Sequence, residues 1–143
     1  MRVVRDIMNK RVVGIRPDAT LAEAIHILTQ QHIGGAPVVT EEGAVVGVIS
    51  ELAMIDVVFD SDAKDALVKE YMTHEVHTVH PDDPLSRPAQ LFALYSFRRL
   101  PVVENGKLVG VVTRRDLMNY ALRSNELLTD PLIELIPSLA PMT

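Results

Sequence analysis

The chain contains no cysteine. That excludes disulfides, thiolate metal sites and a cysteine nucleophile, and it fits a reducing compartment. No apolar run approaches the ~18 residues that suggest a membrane span. The opening stretch, MRVVRDIMNK, carries charges within its first six residues and has no long apolar core. It does not match a signal peptide, so a cytoplasmic protein is expected. A basic field is also missing: 14 Lys and Arg stand against 19 Asp and Glu, a formal net charge of −5. Neither nucleic acid nor an anionic membrane is therefore expected as a partner. G-x-S-x-G, the P-loop and G-x-G-x-x-G are all absent, and no other constellation supports catalysis.

What is present is an ordinary globular composition, with 48% apolar and 23% charged residues in 143. That is enough for one sizeable domain or two small units sharing a core. The organising feature is an internal duplication. A shift of 64 aligns Met8 with Met72, Pro17-Asp18 with Pro81-Asp82, Leu21 with Leu85, and Pro37-Val38-Val39 with Pro101-Val102-Val103. One residue is then lost in a turn, and a shift of 63 aligns Gly43 with Gly106 and Gly47-Val48 with Gly110-Val111. The first repeat is assigned to residues 1–60, the second to 61–125, and a Pro-rich tail to 126–143.

Each repeat reads as a short helix, a strand-like stretch, a helix, two strands and a final helix. Thr20 is a candidate N-cap with Glu23 as its capping-box partner, followed by an apolar face of Leu21, Ala24, Ile25 and Leu28. APVVT and AVVGVIS flank the turn EEG, and LPVVE and KLVGVVT flank Asn105-Gly106, a strong hairpin signal. The second long helix departs from the first. Pro84 replaces the capping Thr20 and Pro88 falls where Ala24 stood. Proline is tolerated only in a first turn, so this helix is expected to start later, with Ser86 as its cap. The acidic DSDAKD within residues 56–67 is expected to be a solvated linker.

These features together resemble a tandem pair of cystathionine β-synthase (CBS) domains, a Bateman module. The carriers are VRDIMNKRVVGIRPDATLAEA, IGGAPVV and GVIS in the first copy, and VKEYMTHEVHTVHPDDPL, RRLPVV and GVVTRRDLM in the second. The resemblance spans roughly residues 3–120. It implies a mixed α+β fold: two βαββα units packed sheet to sheet about a pseudo-twofold axis, leaving two clefts. It also implies an adenosine ligand, AMP, ADP, ATP or S-adenosylmethionine, bound for regulation rather than chemistry. Homodimerisation through exposed helix faces is implied too, with Leu21, Ala24, Ile25, Leu28, Leu91, Leu94 and Tyr95 as the apolar positions.

The candidate site residues are read against that background. From spacing alone, Thr113 and Asp116 form a capping box on the last helix. The resemblance adds ribose recognition, for which a carboxylate has the right chemistry: it only accepts hydrogen bonds, and a ribose diol donates two. The first copy has Ser50 but Ala53 where Asp116 stands in the second, so its cleft is expected to be weak or empty. By the resemblance, Thr113, Arg115 and Asp116 face Val12, Val13, Gly34, Gly35 and Pro37 of the other copy. The glycines equally suit a tight turn with positive φ. Arg98 and Arg99 occupy the equivalent positions in the second copy, as solvated charges or, grouped by the resemblance with the Asp116 site, as phosphate forks. The resemblance places His77, Thr78 and His80 along the strand lining the weakened Ser50 cleft. His74, His77 and His80 do not follow the spacing of a zinc motif, and no metal is assigned. The rival class is a structural assembly module without a physiological nucleotide.

Overall fold

A computed structural model describes residues 2–60 and 62–124; the tail assigned to 126–143 lies outside the described residues. The first repeat contains α1 (Leu21–Gln31), β1 (Gly35–Val39), β2 (Val45–Ser50) and the short α2 (Glu51–Met54). The second contains α3 (Val68–Tyr71), α4 (Ser86–Leu94), β3 (Arg99–Glu104), β4 (Lys107–Thr113) and α5 (Arg114–Arg123). The fold is mixed α+β with two βαββα-like units. The first strand of each unit is reduced to one parallel bridge, Ile15 to Val38 and Val79 to Val102. The hairpins β1–β2 and β3–β4 are antiparallel, and both carry a bulge at the same place, between Val38 and Val39 and between Val102 and Val103.

Local signals explain most of these elements. Thr20 Oγ1 accepts from the Glu23 N–H at 3.1 Å and donates to Glu23 Oε1 at 3.2 Å. Asn105 and Gly106 both have positive φ, 54° and 76°, which fits the type I′ turn that matches strand twist. α4 starts one residue later than α1 in the repeat frame, with Pro88 inside its first turn. Its cap is corrected: Ser86 is the first helical residue, and Leu85 precedes it without a side-chain cap bond. The linker is also more structured than expected. Its acidic side chains are exposed, but Ala63 is buried in a 3-10 turn that packs against α1.

The two cores interleave the repeats. Val68, from the opening helix of the second repeat, is fully buried with Leu21, Leu28 and Val38 of the first. Val4, from the opening 3-10 helix of the first (Val4–Asp6), is buried with Leu100, Val102 and Val112 of the second. The exchange is fixed by paired backbone bonds. Val48 and Thr73 bond each other at 3.0 and 2.9 Å, and Asn9 and Val111 at 2.8 and 3.0 Å. A Cβ added at Gly47 would stand 2.6 Å from Met72 Sδ, and one at Gly110 would stand 2.8 Å from Met8 Sδ. The aligned methionines and glycines are therefore partners across the module. The hairpins also meet directly, with Leu108 donating its N–H to the Gly43 carbonyl at 2.9 Å.

The apolar helix positions expected at an interface need correction. Leu21, Ala24, Leu28 and Leu91 are buried within the chain, because that face of each helix packs on its own sheet. Leu94 and Tyr95 remain exposed, and Leu52, Phe59, Met118 and Leu122 join them. Gly47→Val should lower stability by about 1–3 kcal/mol, the usual cost of overpacking, as read by chemical denaturation. Met72→Ala in the same chain should recover part of that loss.

Candidate functional site

Asp116 is half-buried at the start of α5. Its Oδ2 accepts the Thr113 N–H at 2.8 Å, and its own N–H donates to Thr113 Oγ1 at 3.1 Å. The capping box is therefore formed. Oδ1 has no hydrogen-bond partner among the described residues, so the cap leaves acceptor capacity on the same carboxylate. Arg115, one residue earlier, is exposed. The Asn9–Val111 bridge carries the segment with Val12 and Val13, both half-buried, alongside β4. Pro37 is buried in β1, its carbonyl accepting from the Ile15 N–H at 3.0 Å.

The first repeat lacks the reciprocal bond. Ser50 Oγ accepts the Ala53 N–H at 3.2 Å, and Ala53 returns nothing. Beside Ser50 lies a cleft of about 500 Å³. Its wall includes Gly34, Ser50, Glu51, Thr73, His77 and Phe97, together with Arg98 and Arg99. Glu51, Thr73 and Phe97 were not anticipated as lining residues. Glu51 and Thr73 adjoin residues aligned between the copies, Ser50 and Met72, and no repeated neighbour pointed to Phe97.

Three placements differ from expectation. Arg98 and Arg99 line the Ser50 cleft, whereas the resemblance grouped them with the Asp116 site. Their backbone does lie beside Thr113, since Arg99 pairs with Thr113 and the Arg98 carbonyl accepts from the Arg114 N–H at 3.4 Å. The Arg99 side chain, however, runs across the module to the glycine pair. A Cβ at Gly35 would stand 2.8 Å from Arg99 Nη1 and 3.0 Å from the Ile49 carbonyl oxygen. Neither Gly34 nor Gly35 has positive φ, so the pair provides room rather than a turn. The second difference is His80, which does not line the cleft. Val79 is buried and bridges Val102, and the chain then turns, with the His80 N–H donating to Asp83 Oδ2 at 2.8 Å. Thr78 is exposed and is likewise absent from the cleft wall. His77 does line it, with its ring centroid 4.5 Å from Tyr95 and 5.1 Å from Phe97 and its Nε2 3.3 Å from Glu75.

His80, Asp82 and Glu104 bring ligand atoms within 4.8 Å of one another, a cluster that sequence spacing did not assemble. Arg5 lies between the two carboxylates, 3.2 Å from Asp82 and 3.1 Å from Glu104. Hydrogen bonds to Glu104 and then Asp82 raise its pKa, and the guanidinium takes the place a cation would have. Arg99 is perturbed in the opposite direction. Burial pushes its pKa below the ordinary arginine value, Arg98 adds to the push, and Glu51 opposes it.

The model of the CBS domain matches residues 4–60 and 68–123. The chain belongs to the CBS domain family. It is a tandem CBS pair, and its two matches together cover most of the sequence. It is 33% identical over 119 residues to the CBS domain-containing protein YhcV of Bacillus subtilis, covering 82% of this chain and 84% of that one. It is also 33% identical over 115 residues to MJ1225 of Methanocaldococcus jannaschii, covering 80% of this chain but only 41% of that longer protein. Among solved structures, it resembles CBSX2 in complex with AMP, at a TM-score of 0.79 and 28% identity, covering 87% of this CBS pair and 99% of that chain. CBSX2 is from Arabidopsis thaliana. It also resembles the CBS pair of MJ0100 in complex with 5′-methylthioadenosine and S-adenosyl-L-methionine. There the TM-score is 0.73 and the identity 29%, covering 84% of this chain and 95% of that one. No helix among the described residues is long and apolar enough to cross a membrane.

Thr113→Ala removes the acceptor for the Asp116 N–H. It should destabilise the CBS pair by about 0.5–2 kcal/mol, the range for N-cap loss, in urea unfolding. Ser50→Ala should cost less, because α2 is four residues long and its box lacks the returning bond.

Proposed function

We propose that this CBS pair is a regulatory module that binds an adenosine ligand, AMP, ADP or ATP, and signals occupancy to a partner protein. The observation that carries this reading is Asp116. Its carboxylate is held in place by the cap through Oδ2, while Oδ1 and the remaining lone pairs are available to the two hydroxyls of a ribose. A preplaced acceptor avoids the entropic cost of ordering a long side chain on binding. The adenosine ligands of the CBSX2 and MJ0100 structures support the reading. The absence of a returning carboxylate at Ala53 supports one nucleoside site per chain rather than two. The module acts by binding, not catalysis. For occupancy to become a signal, the ligand must favour one arrangement of the two repeats over another.

Hydrogen bonds to a charged group contribute about 1.5–3 kcal/mol. Asp116→Ala should therefore weaken nucleotide binding by roughly ten- to a hundredfold in titration calorimetry. The parent protein should prefer ribo- over 2′-deoxynucleotides, and the variant should lose that preference. Two equal nucleoside sites per parent chain would contradict the assignment, as would an unchanged affinity in Asp116→Ala.

The same module is proposed to form a homodimer. Leu52, Phe59 and Leu94 are 80%, 97% and 74% exposed, apolar surface that a second copy would cover. Light scattering should give about twice the 15.8 kDa chain mass at micromolar concentration, and a monomer there would exclude the dimer.

A further inference from the structure

The faces that begin at α2 and α5 are related by the duplication but differ in charge. The shift of 63 pairs Glu51 with Arg114, Ile55 with Met118, Phe59 with Leu122 and Asp60 with Arg123. All of these residues are exposed. The apolar positions keep their character in both copies, while the charged positions change sign. Glu51, Asp60, Arg114 and Arg123 form no ion pair among the described residues. Each face follows a hydroxyl cap, Ser50 or Thr113. After Met54 the first continues as tight turns, with the Val57 N–H donating to the Met54 carbonyl at 3.1 Å and the Asp60 N–H to the Val57 carbonyl at 3.0 Å. α5 has no fully buried residue, although it carries Leu117, Met118, Tyr120 and Leu122. An amphipathic helix normally has its apolar stripe covered.

We infer that the homodimer is head to tail: the acidic face of each copy, Glu51 to Asp60, packs on the basic face of the other, Arg114 to Arg123. In a two-fold dimer a contact of residue i with residue j is repeated by j with i. If first repeat met first repeat, the acidic patch would face its own copy, and the basic patch would do the same. Like charges juxtaposed across an interface select against that arrangement. Head to tail, each carboxylate patch meets a guanidinium patch. The apolar residues Ile55, Phe59, Met118 and Leu122 are covered in either case, so apolar area drives association and charge decides orientation. The arrangement also joins the candidate sites of the two copies. Glu51 lines the Ser50 cleft, and Arg114 lies between Thr113 and Asp116 on α5. This orientation rests on the homodimer proposed above, and the two can fail separately.

The chain has no cysteine, so introduced thiols report the orientation directly. Ile55→Cys, Met118→Cys and the double variant are made in the full chain and treated with a bis-maleimide. The double variant should be linked into a covalent dimer, and neither single variant should. Linkage of each single variant to itself overturns the orientation and leaves the dimer standing. No linkage in any variant, in protein that light scattering shows to be dimeric, also overturns it, because Ile55 and Met118 then lie outside the interface. A parent protein that is monomeric defeats the homodimer and the orientation together. Charge supplies a second measurement, by sedimentation. Dimer affinity of the parent should fall as salt rises, because an attraction is screened; a dimer that tightens with salt has like charges facing and overturns the orientation. Asp60→Arg should weaken the dimer by roughly two- to twentyfold, since each exposed contact is lost twice in a symmetric pair. Arg123→Asp in the same chain should restore it. An Asp60→Arg dimer as tight as the parent refutes the head-to-tail arrangement.

Discussion

Everything in this module depends on the crossing of its two opening segments. Each repeat sends its first residues to the other: Val4 completes the second core and Val68 the first. Met8 and Met72 then lie against Gly110 and Gly47, and reciprocal backbone bonds close beside them. Glycine is required because the methionine sulfur lies where a Cβ would be. Methionine suits the role because its unbranched thioether adapts to an irregular gap. Neither repeat has a complete core without the other's opening helix, so the pair behaves as one packing unit. That rigid frame holds the strand starts and the N-termini of α2 and α5 around the clefts.

The repeats are free to diverge where the frame brings equivalent positions face to face. Gly34-Gly35 and Arg98-Arg99 are related by the duplication, and in the folded chain the Arg99 fork lies against the glycines. Two arginine pairs would crowd one another there and repel. Two glycine pairs would leave a void. One of each fills the space. The side chains then line the Ser50 cleft and add positive charge to it. Asp116 and Ala53 diverge in the complementary sense. The Asp116 position is alanine in the copy whose cleft holds the arginines, and a duplicated scaffold thereby presents two chemically different sites.

Local features were legible in the sequence where they rest on neighbours along the chain. The Thr20–Glu23 and Thr113–Asp116 caps, the Asn105-Gly106 turn and the delayed start of α4 all depend on residues within a few positions of one another. Ser86 misled because a serine near a helix start is a common cap, whereas Leu85 takes the cap position with helical backbone angles and Ser86 is the first helical residue. His80 misled because the resemblance extended the cleft-lining strand past Val79, where the chain turns. The apolar stripe of α1 was correctly seen as apolar, but its burial by its own sheet could not be separated from burial by a partner. Periodicity reports which face is apolar, not what covers it.

The sequence by itself determined the duplication, the order of elements, the family, and the asymmetry between Asp116 and Ala53. Each of these is a matter of residue identity at aligned positions. Only the tertiary structure decided which cleft the arginines serve, why Gly34 and Gly35 are glycines, and that Arg5 sits between Asp82 and Glu104. These contacts join residues about 64 to 99 positions apart, Gly35 with Arg99 and Arg5 with Glu104 being the extremes. They depend on where a side chain points once the opening segments have crossed. No local pattern encodes that direction, because it is set by the packing of one repeat against the other.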